Sequence, residues 1–156
     1  MNFELDFQYE KITRLDLTTY VTTRAGTSVL DTLALMREHR VNAVLVEDDA
    51  NRIIGIFTER DVLLKVAGEP DALGQSVDSV MTTGPQTLSP DDTVGDALQL
   101  MNRGHYRNVP VLDDDQGVVG NLSQHALITF LTDRYPREIY HLPPETDMIP
   151  QTREGA

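Results

Sequence analysis

The residues best suited to chemistry lie in GIFTERDVLL, residues 55–64. Thr58 and Asp61 stand three apart where the apolar run RIIGIF hands over to a helix-like start. A Thr-x-x-Asp pair at such a junction has two uses. It can cap the helix, with the carboxylate at the third position reaching back to a free amide and suiting the positive end of the helix dipole, an arrangement worth about 0.5–2 kcal/mol. The same hydroxyl and free amides are also ready donors for a phosphate, and the carboxylate can accept from both hydroxyls of a ribose. On sequence grounds the two uses can coexist, because a cap needs few of the available lone pairs. A related stretch, GNLSQHAL (120–127), keeps Gly120 and Ser123 but puts Ala126 in the place of Asp61. A methyl group accepts no hydroxyl, so only the first stretch keeps an acidic acceptor. His125 beside Ala126 reads as a surface histidine more readily than as a compensating phosphate contact.

Positive charge is supplied locally by Arg37, His39 and Arg40 and again by Arg103, His105 and Arg107. Each set closes a predicted helix, and for Arg37 and Arg103 the reading is an offset to the helix dipole, worth about 0.3–1 kcal/mol each. The run Asp113-Asp114-Asp115 with His105 and His125 offers metal-ligand types, but Asp48-Asp49 repeats the acidic pair at the matching place in the other half of the chain. It therefore reads as a solvated turn. No Walker loop, HExxH, GxSxG or Cys-His pairing occurs, and nothing sets a nucleophile beside a base, so the chain is read as a non-enzyme.

These residues need a scaffold, and the whole chain limits what it can be. At 156 residues it suits one compact domain or two small subdomains sharing a core. A net charge of −12 argues against binding a nucleic-acid backbone. It does not repel a small anion, because exposed charges beyond a Debye length of about 8 Å are screened at physiological salt. With no cysteine there is no disulfide framework or zinc ribbon. The acidic start MNFELDFQYE is no signal peptide and no apolar run is long enough to span a membrane, so a cytoplasmic, soluble protein is expected.

Laid over itself so that Thr22 falls on Thr87, the chain matches between 22–55 and 87–120 at eleven positions, among them Val29/Val94, Asp31/Asp96, Met36/Met101, Val46/Val111, Asp48/Asp113 and Gly55/Gly120. Each copy parses alike. Ser28 or Thr93 is an N-cap, followed by apolar residues at helical spacing. Then come VNAVLVED or YRNVPVLD, an acidic turn, and a returning strand, RIIGIF or VVGNL. A second helix is expected over about 58–66 and 123–131. Each repeat is thus strand, helix, strand, strand, helix, and a unit that small cannot bury its sheet and helices alone.

DDTVGDALQLM, YRNVPVLD with GVVGNL, VDSVMTTGPQTLSP and above all GIFTERDVLL together resemble the tandem pair of CBS domains, the Bateman module, over roughly residues 18–133. The resemblance implies an α/β (α+β) fold of two β-α-β-β-α repeats packed by their sheets with pseudo-twofold symmetry. The expected segments are an N-terminal stretch (1–17), repeat 1 (18–66), a linker (67–79), repeat 2 (80–133) and an extended tail (134–156). Two clefts between the repeats, adenine-nucleotide binding (AMP, ADP or ATP, with or without Mg) and a disc-shaped homodimer are also implied, and no cofactor is required. With Ala126 in the place of Asp61, one competent cleft governed by Asp61 is expected, the second being empty, weaker or given to another ligand. Gly55, Ile56, Thr58 and Asp61 match the family's ribose- and phosphate-holding pattern, and His105 and Arg107 lie where the family carries phosphate-reaching cations. The base is expected between YVTT (20–23) and VNAV, against the backbone of Val21 or Thr22 and of Asn42 or Ala43. The implied ligand set is Val21, Thr22, Asn42, Ala43, Ile56, Thr58, Arg60, Asp61, His105 and Arg107. The resemblance thus implies a regulatory sensor for a regulated protein the sequence does not identify; a ligand-independent dimerisation or adaptor module is the alternative. Outside the repeats, Ile12, Leu15 and Leu17 are expected on the core, and Tyr140, Leu142 and Met148 on a neighbouring subunit.

Overall fold

The structure, a computed structural model, describes residues 9–134; the expectations for Tyr140, Leu142, Met148 and the rest of the tail lie outside them. Repeat 1 runs β1 (Val21–Arg24), α1 (Val29–His39), β2 (Ala43–Glu47), β3 (Ile53–Thr58) and α2, a helical turn at Glu59–Asp61 widening into π turns over Val62–Val66. A two-residue strand, β4 (Thr82–Thr83), leads towards repeat 2, which runs α3 (Val94–Gly104), β5 (Asn108–Leu112), β6 (Val118–Ser123) and α4 (Gln124–Arg134). From α1 to the end of β3, every boundary recurs in repeat 2 at the interval that sets Thr22 on Thr87.

The local reasons also recur. Ser28 and Thr93 accept from the amides of Asp31 and Asp96, so each first helix starts where a hydroxyl takes a free N–H. Each ends on a left-handed residue, Arg40 or His105, both at φ 54°. In the β-turns, Oδ1 of Asp48 accepts from the amides of Ala50 and Arg52, and Oδ1 of Asp113 from those of Asp115 and Gly117. The acidic turns are thus built by their first carboxylate folding onto the backbone.

In repeat 1, β1 pairs parallel with β2, β2 antiparallel with β3, and β3 with β4. In repeat 2 the first strand shrinks to a single bridge, Leu88 to Val111, beside β5 and β6. One core lies under each helical layer, and a third cluster of Ala43, Leu45 and Ile56 with Val118 joins the two repeats.

The repeats also exchange their leading segments. The turn Ile12–Arg14 packs on repeat 2, with Ile12 and Leu15 in the cluster of Val94, Val109 and Leu122. The equivalent turn Val77–Ser79 packs on repeat 1, with Val77 and Val80 in the cluster of Val29, Val44 and Phe57. Full burial of a side chain such as Ile12 or Val77 contributes about 1.5–3 kcal/mol. Each leading segment therefore ties its own repeat to the other, and the crossing strands line the grooves between them.

Candidate functional site

Asp61 sits on the first turn of α2 and is 4% exposed. Its Oδ2 accepts from the Thr58 amide at 3.0 Å and from the Thr58 hydroxyl at 3.2 Å. Its Oδ1 accepts from Lys65 Nζ at 3.0 Å and from the Thr82 hydroxyl at 3.1 Å. An ionised carboxylate offers about four lone-pair sites, so these four donors saturate it. The cap that sequence reasoning expected is present. The lone pairs it was expected to leave over are taken by Lys65 and Thr82, whose role had not been foreseen.

A cleft of about 1360 Å³ opens beside this carboxylate. Repeat 1 contributes Asn42, Ile56, Thr58, Glu59, Arg60, Asp61 and Lys65; repeat 2 contributes His105, Tyr106, Arg107 and the inner faces of α3 and α4. The crossing segment Thr82–Gln86 forms its remaining wall. Arg60, His105 and Arg107 thus bring cationic side chains from both repeats to one groove that also holds the start of a helix, while Lys65 is paired with Asp61. The arrangement can bind an anionic group at the cations and a hydroxylated one at the carboxylate.

The structure gathers Asn42, Ile56, Thr58, Arg60, Asp61, His105 and Arg107 of the expected set here. It does not bring Val21, Thr22 or Ala43. Val21 and Thr22 are committed to the parallel ladder with Val44 and Leu45, which leaves no gap for a base between β1 and β2. Ala43 is fully buried in the cluster between the repeats. The wall expected from Val21 and Thr22 is supplied instead by Thr82–Gln86, because the leading strands cross over. Lys65 was legible as an i, i+4 partner of Asp61; Thr82 carried no local signal.

A smaller cavity of about 700 Å³ is the pseudo-symmetric counterpart, lined by Thr19, Arg37, Arg40, Asn42, Ser123 and His125 among others. Here the Ala126 amide donates to Ser123 Oγ at 3.0 Å, which keeps half the cap without a carboxylate. Arg37, read from sequence as a dipole offset, lines this cavity; Arg103 lines neither.

The CBS domain family model matches residues 13–68 and 77–133, and the chain belongs to that family as a tandem pair. An uncharacterised 17.7 kDa protein of Acidianus ambivalens is 28% identical over 123 residues, 79% of this chain and 74% of its own. Against longer relatives, such as the CBS domain-containing protein CBSCBSPB2 of Arabidopsis thaliana (32% identical over 67% of this chain), the chain spans only 20% of the length. A solved CBS-domain protein of Agrobacterium tumefaciens superposes with a TM-score of 0.66 at 30% identity, over 70% of this chain and 82% of that one. The CBS domain pair of the protein MJ0100, solved with 5′-methylthioadenosine and S-adenosyl-L-methionine, shares the fold at a TM-score of 0.68 and 20% identity, over 78% of this chain and 98% of its own. Among the described residues no helix is long and apolar enough to cross a membrane.

Proposed function

We propose that this protein is a regulatory module that binds an adenine nucleotide, AMP, ADP or ATP, in the larger cleft, and that it works in the cytoplasm without turning its ligand over. In this reading the ribose hydroxyls meet Asp61, the phosphates meet the start of α2 with Arg60, His105 and Arg107, and the base lies on Ile56 against Thr82–Gln86. One observation carries the proposal: a buried carboxylate at a helix start in one repeat shares a groove with His105 and Arg107 of the other. An anion at a helix start meets the positive end of the dipole. The adenosyl ligands of the MJ0100 pair support an adenosine-based ligand in this fold.

Such a ligand bridges two repeats and shifts their relative disposition by its differential affinity for two states, the condition for passing a signal to a homodimer mate or a separate regulated protein. Magnesium would enter with the phosphates. The alternative, a ligand-independent dimerisation or adaptor module, draws on the saturation of Asp61, as a purely structural cap would show. Calorimetric titration with AMP, ADP and ATP separates the readings: heat that disappears in Asp61→Ala supports the sensor, and no heat at millimolar ligand supports the adaptor.

A further inference from the structure

We propose that Lys65 is a built-in competitor for the diol acceptor of the larger cleft, so that it sets how strongly the cleft prefers a ligand bearing two adjacent hydroxyls. The inference rests on the reading of Asp61 as the ribose acceptor. With all four lone-pair sites of Asp61 taken, a diol is seated only by displacing donors. The Oδ2 side is held by the backbone amide of Thr58, which cannot leave without undoing the start of α2, and by the Thr58 hydroxyl, which can turn away. The Oδ1 side is held by a hydroxyl rotor, Thr82, and by the ammonium of Lys65. At Oδ1 a diol hydroxyl competes with Lys65, the one charged donor on the carboxylate.

Lys65 Nζ also donates to the Val80 carbonyl at 2.9 Å, so its departure breaks two charge-assisted bonds. Its side chain is 41% exposed, so the released ammonium returns to water and is not stranded. Val80 lies two residues before β4, so seating a diol also frees a carbonyl in the segment that feeds repeat 2. In repeat 2, Phe130 and Leu17 stand at the positions equivalent to Lys65 and Thr82. The competitor thus belongs to the cleft of Asp61.

A ligand without the diol leaves Lys65 in place, and a ligand with it does not. The two effects form a cycle that can be measured with AMP and 2′,3′-dideoxy-AMP titrated calorimetrically into the wild type, Lys65→Met, Lys65→Arg and Asp61→Ala. Lys65→Met is expected to bind AMP about tenfold tighter and the dideoxy nucleotide unchanged, the scale of one charge-assisted hydrogen bond. Lys65→Arg keeps a cation on Oδ1 and is expected to keep the wild-type ratio. Weaker AMP binding in Lys65→Met, or an equal change for both nucleotides with a lowered melting temperature, makes Lys65 merely structural and overturns the proposal. A ratio unchanged in Asp61→Ala removes Asp61 as diol acceptor, and no heat from AMP in any variant removes the nucleotide reading itself; the inference falls with either.

Discussion

Leu17 crosses Gly120 so closely that a Cβ on the glycine would lie 2.7 Å from the Leu17 carbonyl oxygen, the same oxygen that accepts from the Asn121 amide at 2.9 Å. The equivalent glycine, Gly55, is crossed by the thioether of Met81 instead. Both glycines let a leading segment of one repeat lie on the sheet of the other, but what a methyl group would meet differs. At Gly120 it meets backbone and a Cβ; at Gly55 it meets the movable end of a side chain. Gly120→Ala is expected to lose about 1–3 kcal/mol, the usual range for overpacking, and Gly55→Ala distinctly less. Urea denaturation of the two variants side by side checks the order.

Asp61→Ala removes an acceptor from four donors, of which the Thr58 amide is part-buried. Lys65 can re-solvate, which keeps the loss below that of a fully buried ion pair. A fall of about 2 kcal/mol in ligand-free stability is expected, more than the loss of a helix cap alone and within the range for stranded buried groups. Chemical denaturation measures it. The rise in melting temperature on adding AMP should vanish in the same variant, separating the cap from the binding role.

Much of this was legible because the chain is written twice. Val29, Met36, Val46 and Asp48 have identical partners at one fixed interval, in Val94, Met101, Val111 and Asp113, and helix, strand and turn boundaries fall at that same interval. Thr58 with Asp61 announced a helix start, and His105 and Arg107 announced the facing cations. The exchange of leading segments was not legible. Ile12 and Leu15 match Val77 and Val80 as apolar residues, but a three-residue turn has no periodicity to read, and which repeat it joins is decided by pairing far along the chain. That exchange is why Val21 and Thr22 were assigned to a wall that Thr82–Gln86 builds. The saturation of Asp61 escaped for the same reason, since Thr82 reaches it across the fold.

The Asp48 turn should leave a mark on acid stability. The Arg52 amide, foremost, then the Ala50 amide and the Arg52 side chain, hold the Asp48 carboxyl below its ordinary value of 3.8. A depressed folded value means that folding favours the ionised form. The contribution is complete above 3.8 and is lost as pH falls below it, through the lower folded value. Melting temperatures of Asp48→Ala should therefore lie below wild type at neutral pH and converge with it in that acidic window. A constant gap down to the most acidic pH would remove the carboxylate as the cause.

Leu63 and Ile128 occupy equivalent positions on α2 and α4, both on the wall of the larger cleft, and are 72% and 53% exposed, with Leu64 beside them at 68%. The apolar patch thus repeats about the same pseudo-twofold as the fold, the form a twofold partner would cover. Leu63→Glu with Ile128→Glu changes surface positions, so the fold should survive with a change of about 0.5 kcal/mol for each substitution. Sedimentation is expected to show a dimer for the wild type and a monomer for the double variant. A monomeric wild type at micromolar concentration would sink the homodimer.

Ala126→Asp asks whether a carboxylate is what the smaller cavity lacks. The new side chain would stand on the first turn of α4, where Ser123 can offer it an amide and a hydroxyl as Thr58 offers Asp61. Its outer oxygen, however, would face Phe130 and Leu17, not a lysine and a threonine, and so would be buried without a donor. An unsatisfied buried acceptor costs about 1–3 kcal/mol, and the ligand-free variant should be less stable by that amount. A diol would then bind with no competitor to displace, so AMP stoichiometry by calorimetry should rise towards about two per chain, with a larger stabilisation at saturation than in the wild type. If the variant folds and the stoichiometry stays as it was, Asp61 is not sufficient to define the first cleft, and its cations from the opposite repeat must carry the binding.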